Sequence, residues 1–187
     1  MKKRRFEGFP KEGVRFLRSL KRNNKREWFE ARKQTYLDQV KAPMEAFIVS
    51  MAEEFRSLAP ELLATPKASS YRIYRDTRFS PDKTPYKTQV AAVFPPRGLG
   101  KHEGACLYVH IAPDEVFVGG GLYMPTRPDL QAVREHLASE HRRFRSSIRS
   151  RSFRDMFGEL GGEKLTRVPR DFHWTIRRQT SFATSSF

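Results

Sequence analysis

The sequence predicts an α+β fold in a single domain, with N-terminal helices packed on a mainly antiparallel sheet and C-terminal helices after it. Three observations carry this expectation. Apolar residues recur at helical spacing through residues 10–58, residues 71–123 alternate apolar and polar groups between turn signals, and residues 128–157 return to helical period. A length of 187 residues suits one domain. We take that domain as residues 1–172 and set apart residues 173–187, a Ser- and Thr-rich stretch without period, as a tail expected to be poorly ordered.

The first helix is expected over residues 10–21, with Phe16, Leu17 and Leu20 on one side. Asn23 and Asn24 interrupt it. Asn24 then reads as an N-cap with Glu27 as its capping-box partner, and Trp28, Arg32, Tyr36 and Val40 follow at helical spacing. Pro43 should kink or restart the helix. Beyond it Met44, Phe47, Ile48, Met51, Phe55 and Leu58 form one apolar stripe.

Strands are expected at residues 71–74 and 88–94, and a hairpin at residues 105–111 and 115–123 around Ala112-Pro113-Asp114. A helix follows over residues 128–144, then a short one over 152–157 stopped by Gly158, and a final strand at residues 165–168.

Lys and Arg number 36 against 21 Asp and Glu, a net charge of +15 that favours polyanionic partners. The 15 Phe, 6 Tyr and 2 Trp exclude a disordered polycation. One cysteine, Cys106, excludes an intramolecular disulfide and a cysteine zinc site, and reads as a small buried residue of a strand. The basic residues at 2–5 are followed by no apolar run, and no stretch of about 18 apolar residues occurs, so a cytoplasmic chain without a membrane partner is expected.

Candidate chemistry concentrates in residues 71–87. Arg72, Arg75, Arg78, Lys83 and Lys87 face only Asp76 and Asp82 there, and Ser80-Pro81-Asp82 and Thr84-Pro85 mark turns. In an extended run Arg72 and Tyr74 face one way and Tyr71, Ile73 and Arg75 the other. The guanidinium fork matches phosphate and carboxylate, and Phe79 and Tyr86 offer walls. The same residues fit a second purpose, in which both Asp groups pair with these cations and lock the loop.

Gly119-Gly120-Gly121 lacks the spacing of either glycine-rich phosphate motif, and a bulge or a close backbone approach is the simpler reading. The histidines lack metal-ligand spacing, and His110 reads as a satisfied core residue. No metal or cofactor is expected. Arg142, Arg143, Arg145, Arg149, Arg151 and Arg154 form a second basic run that suits a solvated helix face or phosphate contact.

The run Arg72-Ile73-Tyr74-Arg75-Asp76-Thr77-Arg78-Phe79-Ser80, continued by Asp82-Lys83-Thr84-Pro85-Tyr86-Lys87-Thr88, resembles the signature of the DUF2461 family of bacterial and fungal proteins. Asn23-Asn24 with Glu27-Trp28-Phe29, then Tyr36 and Pro43, resembles its N-terminal block, and residues 119–125 with Leu130 and Arg134 its third. The resemblance covers residues 6–172 and departs after Phe172. It brings no activity with it, and it adds Asn24 and Trp28 to the residues considered for a site.

The reading of these residues is a domain that binds an anionic small molecule, bearing phosphate or carboxylate. Arg72, Arg75, Asp76, Arg78, Asp82, Lys83, Tyr86 and Lys87 are its ligand-binding residues, with Asn24, Trp28, Gly120 and Gly121 as lining. One alternative is a basic nucleic-acid-associated protein. Another is a structural or interaction domain whose charged motif stabilises the fold. Whether the chain is an enzyme stays open.

Overall fold

The computed structural model describes residues 6–161 and residue 166. The chain divides into two compact units, Met1–Met124 and Pro125–Phe187. The expected tail at residues 173–187 lies outside the described residues, as does the expected final strand except for Thr166.

In the first unit, α1 spans Lys11–Arg22 and buries Phe16, Leu17 and Leu20 as its spacing predicts. The helix expected between Asn24 and Pro43 is instead broken into α2 (Arg26–Glu30), α3 (Lys33–Tyr36) and a π-helical turn (Leu37–Lys41), while α4 (Ala42–Leu58) restarts at Pro43 as expected. Pro43 explains the last join. It lacks the N–H that would serve the Gln39 carbonyl, so the chain widens into a π turn and restarts with Pro43 in the first turn of α4. A Cβ at Gly13 would stand 2.1 Å from that Gln39 carbonyl oxygen, so only glycine lets α1 approach so closely. Met44, Ile48 and Phe55 of α4 are buried, while Leu58 at its end is exposed. A short helix, α5 (Pro66–Ser69), is capped by the Thr65 side chain.

The sheet is antiparallel in the order β1 (Val90–Phe94), β2 (Ala105–Ile111), β3 (Val116–Leu122). Its β2–β3 register runs without interruption from Ala105 opposite Leu122 to Ile111 opposite Val116. The three glycines therefore form no bulge. The expected strand at residues 71–74 is not a ladder strand. It pairs through single bridges, Ser70 with Ala92 and Tyr74 with Tyr86, supported by Tyr71 N–H donating to the Ala91 carbonyl at 3.1 Å.

The two sheet faces differ. Val90, Ala92 and Phe94, with Leu107, Val109 and Ile111, turn to the helices and join one hydrophobic core with Leu17, Phe29, Val40 and Ile48. Phe94 packs edge-on to Phe47 and Phe55 at 6.3 and 5.1 Å between ring centres. The opposite face carries Ala91, Val93, Cys106, Tyr108, His110, Phe117, Gly119 and Gly121, and a cleft.

The second unit holds α6 (Arg127–Ser139), α7 (His141–Arg149) and α8 (Arg151–Phe157). The helix expected over residues 128–144 thus ends earlier and a second begins. Thr126 and Asp129 form a capping box at the start of α6. Ser150 caps α8, and Gly158 ends it at φ 74°. The described structure is α+β, with helices, then an antiparallel sheet, then helices. No helix among the described residues is long and apolar enough to cross a membrane.

Candidate functional site

The charged loop closes on itself over much of its length. Arg75, whose side chain is 26% exposed, directs Nη1 at Asp82 Oδ2 and Thr84 Oγ1, and Nη2 at Ser80 Oγ at 3.4 Å. Asp82 also accepts from the Thr84 N–H at 2.9 Å and the Thr84 hydroxyl at 3.0 Å. The Arg75 bond and the Thr84 donors hold its carboxyl down to about 2. Asp76 accepts from Arg78 Nε at 3.0 Å, Nη2 at 2.7 Å and its backbone N–H at 3.2 Å. Its carboxyl is lowered to about 2 by the Arg78 hydrogen bonds. Lys83 Nζ donates to the Thr77 carbonyl at 2.9 Å. Phe79 is 93% exposed and walls nothing.

The exit of the loop is fastened to the helices by Asn24. Its Oδ1 accepts from the Tyr86 N–H at 3.0 Å and its Nδ2 donates to the Tyr86 carbonyl at 2.8 Å. Asn24 is therefore not the helix cap that its spacing suggests; Lys25 holds that position and no side chain caps α2. The Tyr86 ring is buried and stacks on Phe29 at 4.1 Å. Trp28 packs against Phe16 at 5.6 Å, with the Arg32 guanidinium 4.6 Å over its ring, and lines neither cleft described here.

Arg72 and Lys87 behave differently. Arg72 is exposed, and among the described residues it has no ion pair. Lys87 Nζ lies 5.1 Å from the centre of the Tyr71 ring, and Lys101 Nζ lies 5.0 Å from the same ring while donating to the Ser70 carbonyl. Burial pushes the Lys87 ammonium down, and the charges of Arg72 and Lys101 push it the same way. Burial also lowers Lys101. The three cations are thus near neighbours, and among the described residues none has a carboxylate within ion-pair distance.

Beside them opens the cleft on the outer sheet face, about 660 Å³ in volume. Lys87, Tyr71, Tyr108 and Tyr123 line it together with His102 and His110. Tyr71 meets His102 at 6.0 Å and Tyr108 at 6.2 Å, and the Tyr108 hydroxyl accepts from Gln89 Nε2 at 3.2 Å. Burial raises the Tyr71 and Tyr108 phenols, so both are neutral. Gly119, Gly120 and Gly121 form part of its floor, and a Cβ at Gly121 would meet nothing within 4 Å. Cys106 is buried at this floor, its thiol raised by burial and directed at the Gly121 carbonyl at 3.7 Å. A second, more polar cleft of about 580 Å³ is lined by Asn24, Arg75, Asp76, Asp82, Tyr86 and Lys87 among others. Lys87 stands where the two meet.

Of the residues singled out from sequence, the first unit brings Lys87, Gly120 and Gly121 to the larger cleft and Asn24, Arg75, Asp76, Asp82, Tyr86 and Lys87 to the smaller. Arg72, Arg78 and Lys83 line neither. Lys101, Tyr71, Tyr108 and Tyr123 were not singled out. Strand alternation alone would put Tyr108 on the face of His110. Lys101 lies in a loop whose path no local pattern fixes. Among the described residues no group of three or more His, Cys, Asp or Glu is placed to hold a metal ion. The Arg142–Arg154 run falls on α7 and α8 of the second unit, where Arg151 pairs with Asp155 at 3.5 Å.

These features define the chain as an α+β protein whose first unit carries an aromatic cleft on the sheet face turned from its own helices, with a charged loop at the cleft's edge. It belongs to the DUF2461 family, described as a conserved hypothetical protein, whose family model matches residues 12–186. That match runs past residue 172, where the motif resemblance ends. No curated protein and no solved structure matches the chain.

Proposed function

We propose that the protein binds an anionic small molecule whose phosphate or carboxylate sits against Arg72, Lys87 and Lys101 and whose apolar body lies in the aromatic cleft. One observation carries this reading: Lys87 lines a cleft walled by Tyr71, Tyr108 and Tyr123, with the charges of Arg72 and Lys101 close by and, among the described residues, no ion pair to any of the three. Two of these cations are desolvated, and an anion would relieve both their repulsion and their lost hydration. The volume falls in the range of small-molecule sites, and a mainly apolar lining with a few polar groups is their usual composition. In this reading Arg75, Asp76, Arg78, Asp82 and Lys83 shape the loop, and the ligand meets Lys87 and Arg72.

The test is titration of the full chain with phenyl phosphate and phenylacetate by calorimetry. Binding that weakens about tenfold in Arg72→Ala and Lys87→Ala is the expected result, equal to one charge-assisted contact. No binding of either probe, or binding indifferent to both substitutions, removes the reading. A duplex DNA titration across a range of salt serves as the competing arm. Salt-dependent binding of DNA alone would favour the nucleic-acid reading.

A further inference from the structure

The cleft holds a polar group that the cations do not explain. His110 stands on β2, on the same face as Tyr108, with its side chain 12% exposed. Its Nε2 lies 3.0 Å from Glu115 Oε1. A carboxylate only accepts, so Nε2 carries the proton, and in the neutral form of the ring Nδ1 then keeps a bare lone pair. Nδ1 is buried and has no hydrogen-bond partner among the described residues. The satisfied core histidine expected from sequence is therefore satisfied at one nitrogen only. Buried polar atoms without partners are rare and call for an explanation.

Aromatic rings flank the imidazole. The Phe117 ring stacks on the imidazole at 5.4 Å and 20°, and Tyr108 meets it edge-on at 5.6 Å. Phe117 is nearly half exposed. Its ring leans along β3 over Gly119, with Cε1 2.8 Å from where a Cβ would stand. Only a residue without a side chain leaves that resting place, and a ring so exposed turns about χ1 without unpacking the core.

We propose that His110 is the hydrogen-bond acceptor of the cleft, its Nδ1 taking an O–H or N–H donor on the ligand's body once Phe117 turns aside. Glu115 is its positioning residue, fixing the tautomer. The proposal rests on the anion reading above and narrows it to anions that carry a hydroxyl or amino group. The cleft then recognises its ligand at two ends, by charge at Lys87 and by a directed lone pair at His110.

The experiment is histidine-selective ¹⁵N NMR on the full chain, with phenyl phosphate and its three hydroxyphenyl counterparts as probes. Unliganded His110 is expected as the Nε2–H tautomer. At least one hydroxyphenyl phosphate should shift its Nδ1 signal and bind about tenfold tighter than phenyl phosphate, the worth of one good hydrogen bond. In His110→Phe that preference should vanish, the hydroxyphenyl phosphates binding no tighter than phenyl phosphate binds to the same variant. Glu115→Gln should mix the two tautomers. Phe117→Ala removes only a half-exposed ring, so it keeps the test alive if His110→Phe fails to fold. It should shift the Nδ1 signal without any probe, as water reaches the lone pair. An Nδ1–H tautomer in the unliganded chain, or a hydroxyl preference that survives His110→Phe, overturns the proposal. Phenyl phosphate binding with no gain from any hydroxyl overturns it too and leaves the anion reading standing. If none of the four probes binds, both fall together.

Discussion

Arg75 and Arg72 lie three residues apart and meet opposite surroundings. Arg75 reaches Asp82, Thr84 and Ser80 and is mostly covered. Arg72 projects from the other side of the extended run, near Lys87; its charge helps to lower Asp76, but among the described residues it makes no ion pair. The charges are identical, and strand alternation decides which arginine is consumed by the fold and which is left for something else. Counting cations against carboxylates therefore misjudges such a segment. The surplus is not spread evenly over it: Arg75 and Arg78 are paired, while Arg72 and Lys87, joined by Lys101 from a distant loop, make no ion pair among the described residues.

That contrast can be broken by substitution, and the largest effect is expected where the loop is fastened. Asn24→Ala strips both hydrogen bonds from the Tyr86 backbone and should destabilise the protein by about 2 kcal/mol, read by urea unfolding. A midpoint unchanged from the parent would mean that the fastening is ornamental. Arg75→Ala should follow at about 1–2 kcal/mol, because Thr84 and Ser80 lose a charged donor in a half-buried setting. Its affinity for phenyl phosphate should stay within about twofold of the parent; a tenfold loss would merge the two sides into one site.

Arg72→Ala is the mirror case, with affinity falling about tenfold while the unfolding midpoint moves little, as for an exposed residue off the core. Acid titration sharpens the contrast further. Asp76 and Asp82 are lowered to about 2 from a usual value near 3.9. A carboxyl depressed by folding contributes stability that is complete above about pH 4 and disappears as the pH falls through about 2. Carbon-detected NMR of the carboxyl groups should place both midpoints there, and ordinary midpoints near 4 would unlock the loop. The smallest effect belongs to Arg78→Ala. With 77% of that side chain exposed, its pair with Asp76 is screened, and thermal unfolding should be unchanged within error.

Much of this was legible in the residues. Apolar spacing located α1, α4 and the hairpin, because their periods come from one face meeting one core. The segment at residues 71–87 announced itself by charge and turns. What escaped was non-local. Asn24 looked like a cap because capping is the local use of asparagine, and only the fold brings Tyr86 to it. Lys101 and Tyr71 share a cation–π contact across 30 residues that no window spans. The break at Glu140 between α6 and α7 escaped too, since helical period continues through it and the capping pair at Thr126 marks only the start. His110 was half legible: alternation gave its face, but neither the Glu115 contact nor the missing second partner leaves a trace in sequence.

Asn24 has one more consequence. Arg75 N–H donates to the Pro85 carbonyl and Lys87 N–H to the Ile73 carbonyl, so Tyr86 opposes Tyr74 in a non-bonded position, its own N–H and carbonyl turned outward. An outward pair of this kind is a template on which a foreign strand can nucleate. The Asn24 carboxamide, donor and acceptor in the geometry of a peptide group, occupies that template with a side chain. Asn24→Ala should therefore do more than weaken the fold. It would open an adhesive border in a chain whose +15 charge otherwise keeps copies apart, and self-association of the variant at high salt, seen by light scattering, would register it.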